Sequence, residues 1–420
     1  MNKNKKNSNV INFGCRLNTY ESEVIKLLVK KNNIKNTLIF NTCAVTKEAE
    51  RQAQQAIRKY KKENPKMDIV VTGCASQINP NKFKEMEQVD FVIGNNEKIK
   101  NKTWKNLDTI RDSKISNIME IKEINHNIVK RFNGSARAYV EIQQGCNHRC
   151  TFCIIPYGRG NNRSIPMGLI VKRVKKLVSN GYNEIVLTGV DITDYGLDLP
   201  GQPSLAQMVK RLLKIVTELK QLRLSSIDCS EINEDFWNLL KSEKRLMPHL
   251  HISLQAGDDL ILKRMKRRHN RSQALEFCYK AKKIRPNIVL GADLIAGFPT
   301  ENDEMFNNTC SLIKECDLTY LHVFPYSQRE DTPASKMPQV PNQIKKFRAN
   351  LLRQIGKEQL NKYLKNSVGK EMKVLIEKKY ENYSIGRTQE YAPIKINKEL
   401  EEGKLFTVKV KDENNNFLIA

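Results

Sequence analysis

Residues 9–94 alternate two hydrophobic periods. The apolar run 9–14 (NVINFG) predicts a buried strand, and residues 20–32 (YESEVIKLLVKKN) carry apolar side chains at helical spacing. TLIFNT (37–42) predicts a second strand and residues 47–63 a second helix. MDIVVTG (67–73) then predicts a third strand and DFVIG (90–94), after a short helix, a fourth. Such alternation implies a parallel sheet covered on both faces. Between 95 and 133 the pattern weakens into polar text rich in Lys and Asn, and 105–133 is assigned as a connecting region.

From residue 134 the alternation resumes in longer units. Strands are predicted at 136–144, 184–188, 222–227, 250–255, 287–294 and 318–324, with helical text between them. Six strand–helix units are too few for an eightfold barrel but suit an open, partial barrel of the same handedness. After a helical connector ending near Lys365, five short strands separated by turn residues follow, at 370–379, 383–390, 392–397, 403–412 and 416–420. The predicted class is therefore α/β. It comprises an N-terminal open parallel α/β sheet (1–104), a connecting region (105–133), a central partial (β/α)6 barrel (134–367) and a C-terminal small OB-like β-barrel (368–420).

Ten cysteines stand on this framework. Cys15, Cys43 and Cys74 each follow one of the first three strands, and the carboxyl ends of parallel strands share one sheet edge where ligands bind. That recurrence predicts a second metal or cluster site. Cys146, Cys150 and Cys153 fall in the loop after the first barrel strand, in QQGCNHRCTFC. Two readings follow. His148 is a fourth ligand to zinc, or the three thiolates hold an iron–sulfur cluster with one iron left open. Phe152, beside Cys153, is placed to pack on a ligand at such an iron. Cys229, Cys278, Cys310 and Cys316 read as packing residues.

The longest apolar run, residues 287–298, has Asp293 inside it, and the first ten residues lack the apolar core of a secretory leader. A soluble, cytoplasmic protein with no membrane partner is expected. The formal charge of +26 favours a polyanion, nucleic acid first. Residues 1–133 and 134–367 are strongly basic, whereas 368–420 are nearly neutral, so the tail would bind RNA through a local patch or through Tyr383 and Tyr391. The densest run, KRMKRRHNR (263–271), places Lys266, Arg267 and Arg268 at the predicted barrel mouth; Arg159 and Arg163 follow the cysteine loop. These five are the candidate RNA contacts.

CNHRCTFC after the first strand of a six-unit barrel resembles the radical S-adenosylmethionine superfamily. FGCRLNTYESE, NTCAVT and VTGCAS resemble the methylthiotransferases within it, and the tail resembles their TRAM-type RNA-binding barrel. The resemblance implies a four-iron four-sulfur cluster on Cys146, Cys150 and Cys153 that reductively cleaves S-adenosylmethionine to a 5′-deoxyadenosyl radical. It implies an auxiliary four-iron four-sulfur cluster on Cys15, Cys43 and Cys74 that presents the sulfur. Phe152, Gly189, Val190, Asp191, Ser253 and Gln255 would contact the cofactor, which carries the hard chemistry, so no side-chain acid–base pair is implied. The implied partners are tRNA, a flavodoxin- or ferredoxin-like electron donor and a sulfur source. HLHISLQAGDDLILKRMKRRH, GADLIAGFPTEND and HVFPYSQREDTPASKM most resemble the branch that methylthiolates threonylcarbamoyladenosine 3′ of the anticodon. Isopentenyladenosine is the alternative substrate, then a ribosomal-protein aspartate. An RNA-binding protein with purely structural clusters is the reading from another class.

Overall fold

The computed structural model describes residues 10–109 and 115–420; the basic residues 1–9 and residues 110–114 of the connecting region lie outside the described residues. The N-terminal sheet holds β1 (Val10–Asn12), β2 (Thr37–Thr42), β3 (Asp68–Gly73) and β4 (Phe91–Val92) side by side in chain order, all parallel. Helix α1 (Arg16–Lys31) starts four residues earlier than its apolar period suggests, with Cys15 as its N-cap. Its first turns bury polar side chains, Asn18, Glu21 and Ser22, which hydropathy alone assigns to solvent. Helix α2 (Lys47–Glu63) covers the other face, capped by Thr46, and α3 (Cys74–Ile78) begins at a cysteine.

The central unit begins with β5 (Ala138–Glu141) and the short β6 (Gln143–Gln144), which pairs with β7 (Arg163–Ser164) across the cysteine loop. Next come β8 (Glu184–Thr188), β9 (Gln221–Leu224), β10 (His249–Gln255), β11 (Val289–Ala296) and β12 (Leu318–Pro325). Two three-stranded parallel sheets, β5–β8–β9 and β10–β11–β12, are stitched together at Ile227, whose N–H donates to His251 O and whose carbonyl accepts from Ser253 N–H, both at 2.9 Å. The result is six parallel strands in sequence order with helices outside, the open barrel that the periodicity predicts. Outward-facing Leu250, Ile252, Leu254, Leu290, Ala292 and Leu294 are fully buried, while inward Ser253, Gln255 and Asp293 stay partly accessible. Val24, Ile25 and Leu28 of α1 join the same apolar core. The N-terminal sheet is thereby fused to the barrel.

Cys278 and Cys316 are buried in this core, with Cys229 and Cys310 against it, as packing residues would be. Among the described residues no helix is long and apolar enough to cross a membrane. Val129 and Phe132 of the connecting region also reach the core, so it is packed along the barrel although it reads as polar text.

The tail forms one six-stranded sheet from β13 (Glu371–Lys379), β14 (Ser384–Thr388), β15 (Pro393–Ile396), β16 (Leu405–Lys409), β17 (Asp412–Glu413) and β18 (Leu418–Ile419), around an apolar core of its own. It docks on the barrel through a fully buried carboxylate. Glu184 accepts from Arg137 Nε (2.6 Å) and Arg223 Nε (2.9 Å). Arg137 reaches on to Glu377, and Arg223 donates to Thr388 O and Gln389 O of the tail. Glu184→Gln leaves two buried guanidinium groups short of an anion and is expected to cost about 3–5 kcal/mol. A lowered urea midpoint, with faster proteolysis around residues 366–370 as the tail undocks, checks this; an unchanged midpoint refutes it.

Candidate functional site

Both cysteine groups lie at carboxyl ends of parallel strands. In the N-terminal sheet Thr42 and Gly73 are register partners, so Cys43 and Cys74 leave adjacent strands side by side. Gly73 has φ +107°, and a Cβ there would meet the Thr42 backbone at 2.3–2.4 Å, so glycine permits the approach. Burial pushes the Cys43 thiol up to about 11, with Cys74 and Cys15 close enough to add to the shift. All three thiols therefore share one edge: Cys43 and Cys74 buried, Cys15 exposed.

The second group sits on a loop pinned on every side. Gly145 (φ +71°) passes against Asn161 O, where a Cβ has no room, and Cys146 N–H donates to Gly160 O at 3.0 Å. Thr151 N–H donates to Met265 O and Thr151 O accepts from Ala334 N–H, tying the loop to those after β10 and β12. Phe152 packs edge-on against Phe298 at 6.4 Å. Burial raises the Cys146 and Cys153 thiols, the latter to about 12, so a metal bound there displaces protons from them.

Gln143, which sequence reasoning missed, ties this loop to the loop after β8. Its amide donates to Gly145 O (2.7 Å) and Asn162 Oδ1 (2.7 Å), and its carbonyl accepts from Val190 N–H (2.9 Å) and Asp191 N–H (2.8 Å). Gly189, Val190 and Asp191 are thus held facing Cys146, with Asp191 Oδ2 at 3.7 Å from its Sγ. Ser253 and Gln255 point inward from β10, where the β10–β11 register shifts and Gln255 takes φ +71°. That irregularity re-aims the strand end.

His148 does not complete a four-ligand zinc set. Its Nε2 lies 3.2, 2.9 and 3.2 Å from carboxylate oxygens of Asp191, Asp194 and Glu231, whose hydrogen bonds push the imidazole up to about 11. Those carboxylates already occupy its Nε2. Cys146, Cys150 and Cys153 then remain as three thiols on one loop, a donor set that suits an iron–sulfur cluster.

The candidate RNA contacts need correction. Arg159 is buried at 2% exposure: its Nε donates to Cys74 Sγ (3.0 Å), its Nη2 to Asn18 Oδ1 (2.6 Å) and Glu21 Oε2 (3.0 Å), and its Nη1 to Glu21 Oε1. Arg163 is buried too, donating to Ile121 O and Arg159 O. Arg267 pairs with Asp228 (2.6 Å), caps Ser253 O (2.7 Å) and sits 3.6 Å from Cys150 Sγ. None of the three is open to a phosphate. Arg268 is half-exposed but engaged by Asp228 and Glu231; Lys266 is exposed. Carboxylates from other elements engage three of the six cations of the basic run, Arg267, Arg268 and Arg271. Tyr391 is likewise enclosed, stacked on His249 (4.9 Å) with Arg387 over its ring, and Tyr383 stacks on Tyr380.

Arg159 joins the two cysteine groups. Only the short helix Ile155–Arg159 separates Cys153 from Arg159, and Arg159 touches Cys74. Glu21 also holds buried Lys98 at 2.6 Å. Burial pushes the Glu21 carboxyl up, but Arg159 and Lys98 outweigh burial and hold it at about 2, below its ordinary 4.5. Its contribution to stability is then full above pH 4.5 and is lost as pH falls toward 2. Trp104 is buried and donates to Lys98 O at 2.8 Å, so its fluorescence reports this region. In the cluster-free protein, wild type should lose stability between pH 4.5 and 2.5, and Glu21→Gln, less stable at pH 7, should lose less over that window. Equal acid losses would refute the assignment.

Comparison with known proteins follows the same division. Residues 140–313 match the model of the Radical SAM superfamily, and residues 7–94 that of Uncharacterized protein family UPF0004. Over 406 residues the chain is 53% identical to threonylcarbamoyladenosine tRNA methylthiotransferase MtaB of Rickettsia prowazekii, covering 96% of this chain and 94% of that protein. The protein of the same name from Aquifex aeolicus is 36% identical, with coverages of 94% and 98%. A tRNA-2-methylthio-N(6)-dimethylallyladenosine synthase of Clostridium botulinum is 33% identical, with 92% and 91%. Among solved structures, the radical S-adenosylmethionine methyltransferase TsrM of Kitasatospora setae superposes with a TM-score of 0.56 at 13% identity, covering 78% of this chain and 74% of that one. That likeness concerns the fold alone.

Proposed function

Because this chain belongs to the radical S-adenosylmethionine tRNA methylthiotransferases, we propose that Cys146, Cys150 and Cys153 hold the cluster that binds S-adenosylmethionine, and Cys15, Cys43 and Cys74 the auxiliary one. The activity is insertion of a methylthio group at C2 of N6-threonylcarbamoyladenosine, immediately 3′ of the anticodon in tRNA. The observation that carries it is 53% identity, over almost the full length of both chains, to an enzyme named for that substrate. The dimethylallyladenosine synthases, at 33%, supply the second reading.

When bound, the two four-iron four-sulfur clusters and S-adenosylmethionine supply the electron, the radical, the methyl group and the sulfur. The chain supplies placement. Gln143 fixes the backbone of Val190 and Asp191 beside Cys146, where these residues would line the methionine end of the cofactor. Phe152 offers an apolar wall for the adenine, and Ser253 and Gln255 line the lumen below it. Arg267 places positive charge beside Cys150, and Arg159 beside Cys74.

The division at residues 1–104, 105–133, 134–367 and 368–420 follows these roles. The tail sheet is read as a TRAM-type, OB-like RNA-binding barrel. The electron donor is a flavodoxin- or ferredoxin-like protein, a separate carrier supplies sulfur, and the enzyme works in the cytoplasm. A non-catalytic RNA-binding protein would have no use for a three-cysteine loop facing an inward-pointing lumen.

Anaerobically reconstituted wild type is expected to hold about eight irons per chain and Cys15→Ala/Cys43→Ala/Cys74→Ala about four. The triple variant should still release 5′-deoxyadenosine on reduction with S-adenosylmethionine, whereas Cys146→Ala should release none. Four irons in both proteins would refute the auxiliary site. Nucleoside mass spectrometry on tRNA containing threonylcarbamoyladenosine should show the methylthio product with wild type only; a product solely from isopentenylated tRNA would establish the second reading.

A further inference from the structure

A cleft of about 320 Å³ lies where three parts of the chain meet. The start of α1 lends it Arg16, the helix Asn342–Lys365 lends Arg353 and Lys357, the tail sheet lends Arg387, and β12 lends His322. No Asp or Glu lines it among the described residues. Nor, among the described residues, does any carboxylate lie within ion-pair distance of Arg16, Arg353 or Lys357; Arg353 donates only to Asn350 Oδ1 and Val323 O. Arg387 has Glu377 at 3.5 Å. Elsewhere in the folded chain many buried guanidinium groups are matched with carboxylates, as at Arg137, Arg159, Arg223, Arg267 and Arg348. Here Arg16, Arg353 and Lys357, drawn from two separate helices, converge without one. Like charges gathered in a concave, partly desolvated space repel until an anion joins them.

One feature of the cleft points toward a cation instead. His251 Nε2 and His322 Nδ1 both lie near Asp293 Oδ1, at 3.0 and 3.2 Å, a donor set that suits a divalent metal. The surrounding charge decides between the two. The Asp293 carboxylate is already shared by two imidazoles, and the neighbouring arginines and lysine repel a metal ion. The same carboxylate fixes the ring of His322, which is 56% exposed, with Nδ1 turned inward and Nε2 outward. A fixed ring nitrogen among arginines suits a phosphate oxygen.

We infer that this cleft binds the phosphodiester backbone of the RNA substrate. The inference rests on the tRNA reading above and adds where the strand lies. Arg16 directly follows Cys15, so a phosphate held there sits one residue from a proposed auxiliary ligand. RNA would then touch the sulfur-bearing domain, the barrel and the tail at one point. The tail contributes charge at this point, since Tyr391 is already enclosed by His249 and Arg387.

The test uses the reconstituted full-length protein and a fluorescent anticodon stem-loop RNA, with anisotropy read over a salt series. Arg353→Gln/Lys357→Gln removes two exposed cations from the cleft; Lys210→Gln/Lys214→Gln removes the same charge from the outer helix between β8 and β9. The cleft pair should weaken binding roughly 10-fold and reduce the slope of log Kd against log salt by about 2, with the control pair within about 2-fold of wild type. Equal effects in the two pairs, or none in the cleft pair, would overturn the inference. If wild type binds and methylthiolates tRNA while the cleft pair behaves like wild type, only the cleft assignment falls. If wild type binds no RNA, the substrate reading falls with it.

Discussion

A buried guanidinium held by a buried carboxylate, Arg159 on Glu21, fixes this molecule's working geometry. Arg159 ends the short helix that leaves the cysteine loop of the barrel, and Glu21 faces it from the first helix of the neighbouring domain. The same guanidinium rests on Cys74. Neither charge tolerates loss of the other, because an uncompensated buried ion costs several kcal/mol. The pair therefore braces the two cysteine groups against each other and places a cation beside Cys74. Lys98 and Asn18 complete the network, and the polar face of α1 follows from it.

Periodicity carries backbone information well and partner information hardly at all. The strands at 37–42 and 184–188 fall where their apolar runs predict, and the three strand-end cysteines could be read because parallel topology sends strand ends to one edge. The start of α1 was hidden because polar Asn18, Glu21 and Ser22 are buried there beside Leu17 and Tyr20, so hydropathy marks the first turns only weakly. Arg159 and Glu21 stand 138 positions apart, and nothing local marks either for the other. Gln143 differs in degree. It stands three residues before Cys146, and an amide at the end of a buried strand is a cue that its hydrogen bonds lie in the neighbouring loop.

Charge density misleads for a related reason. In the run 263–271 three arginines are long enough to reach carboxylates on other elements, and folding drives them there: Arg267 and Arg268 to Asp228, Arg271 to Glu315. Lysines and arginines spaced far apart in sequence escape that fate when the surface they meet on has no acid. Arg16, Arg353, Lys357 and Arg387 leave no local trace, since each is a single cation in ordinary helical or strand text.

A cleft built this way exists only when its walls are assembled. Arg387 reaches it because the tail is docked, and the tail is docked through Arg137 and Arg223 gathered on Glu184. Arg16 reaches it because α1 shares the barrel core and is anchored by Glu21. Two buried ion networks, one on each side of the barrel, thus hold in register the elements that converge on the lumen. Loosening either network moves a wall of the cleft, and loosening the Glu21 network also moves the helix that carries Cys15. The cleft proposed for RNA and the edge that carries Cys15 are thus mechanically linked through α1. On this argument, a variant that disturbs the tail dock should affect RNA binding before it affects the clusters, whereas one that disturbs Glu21 should affect both.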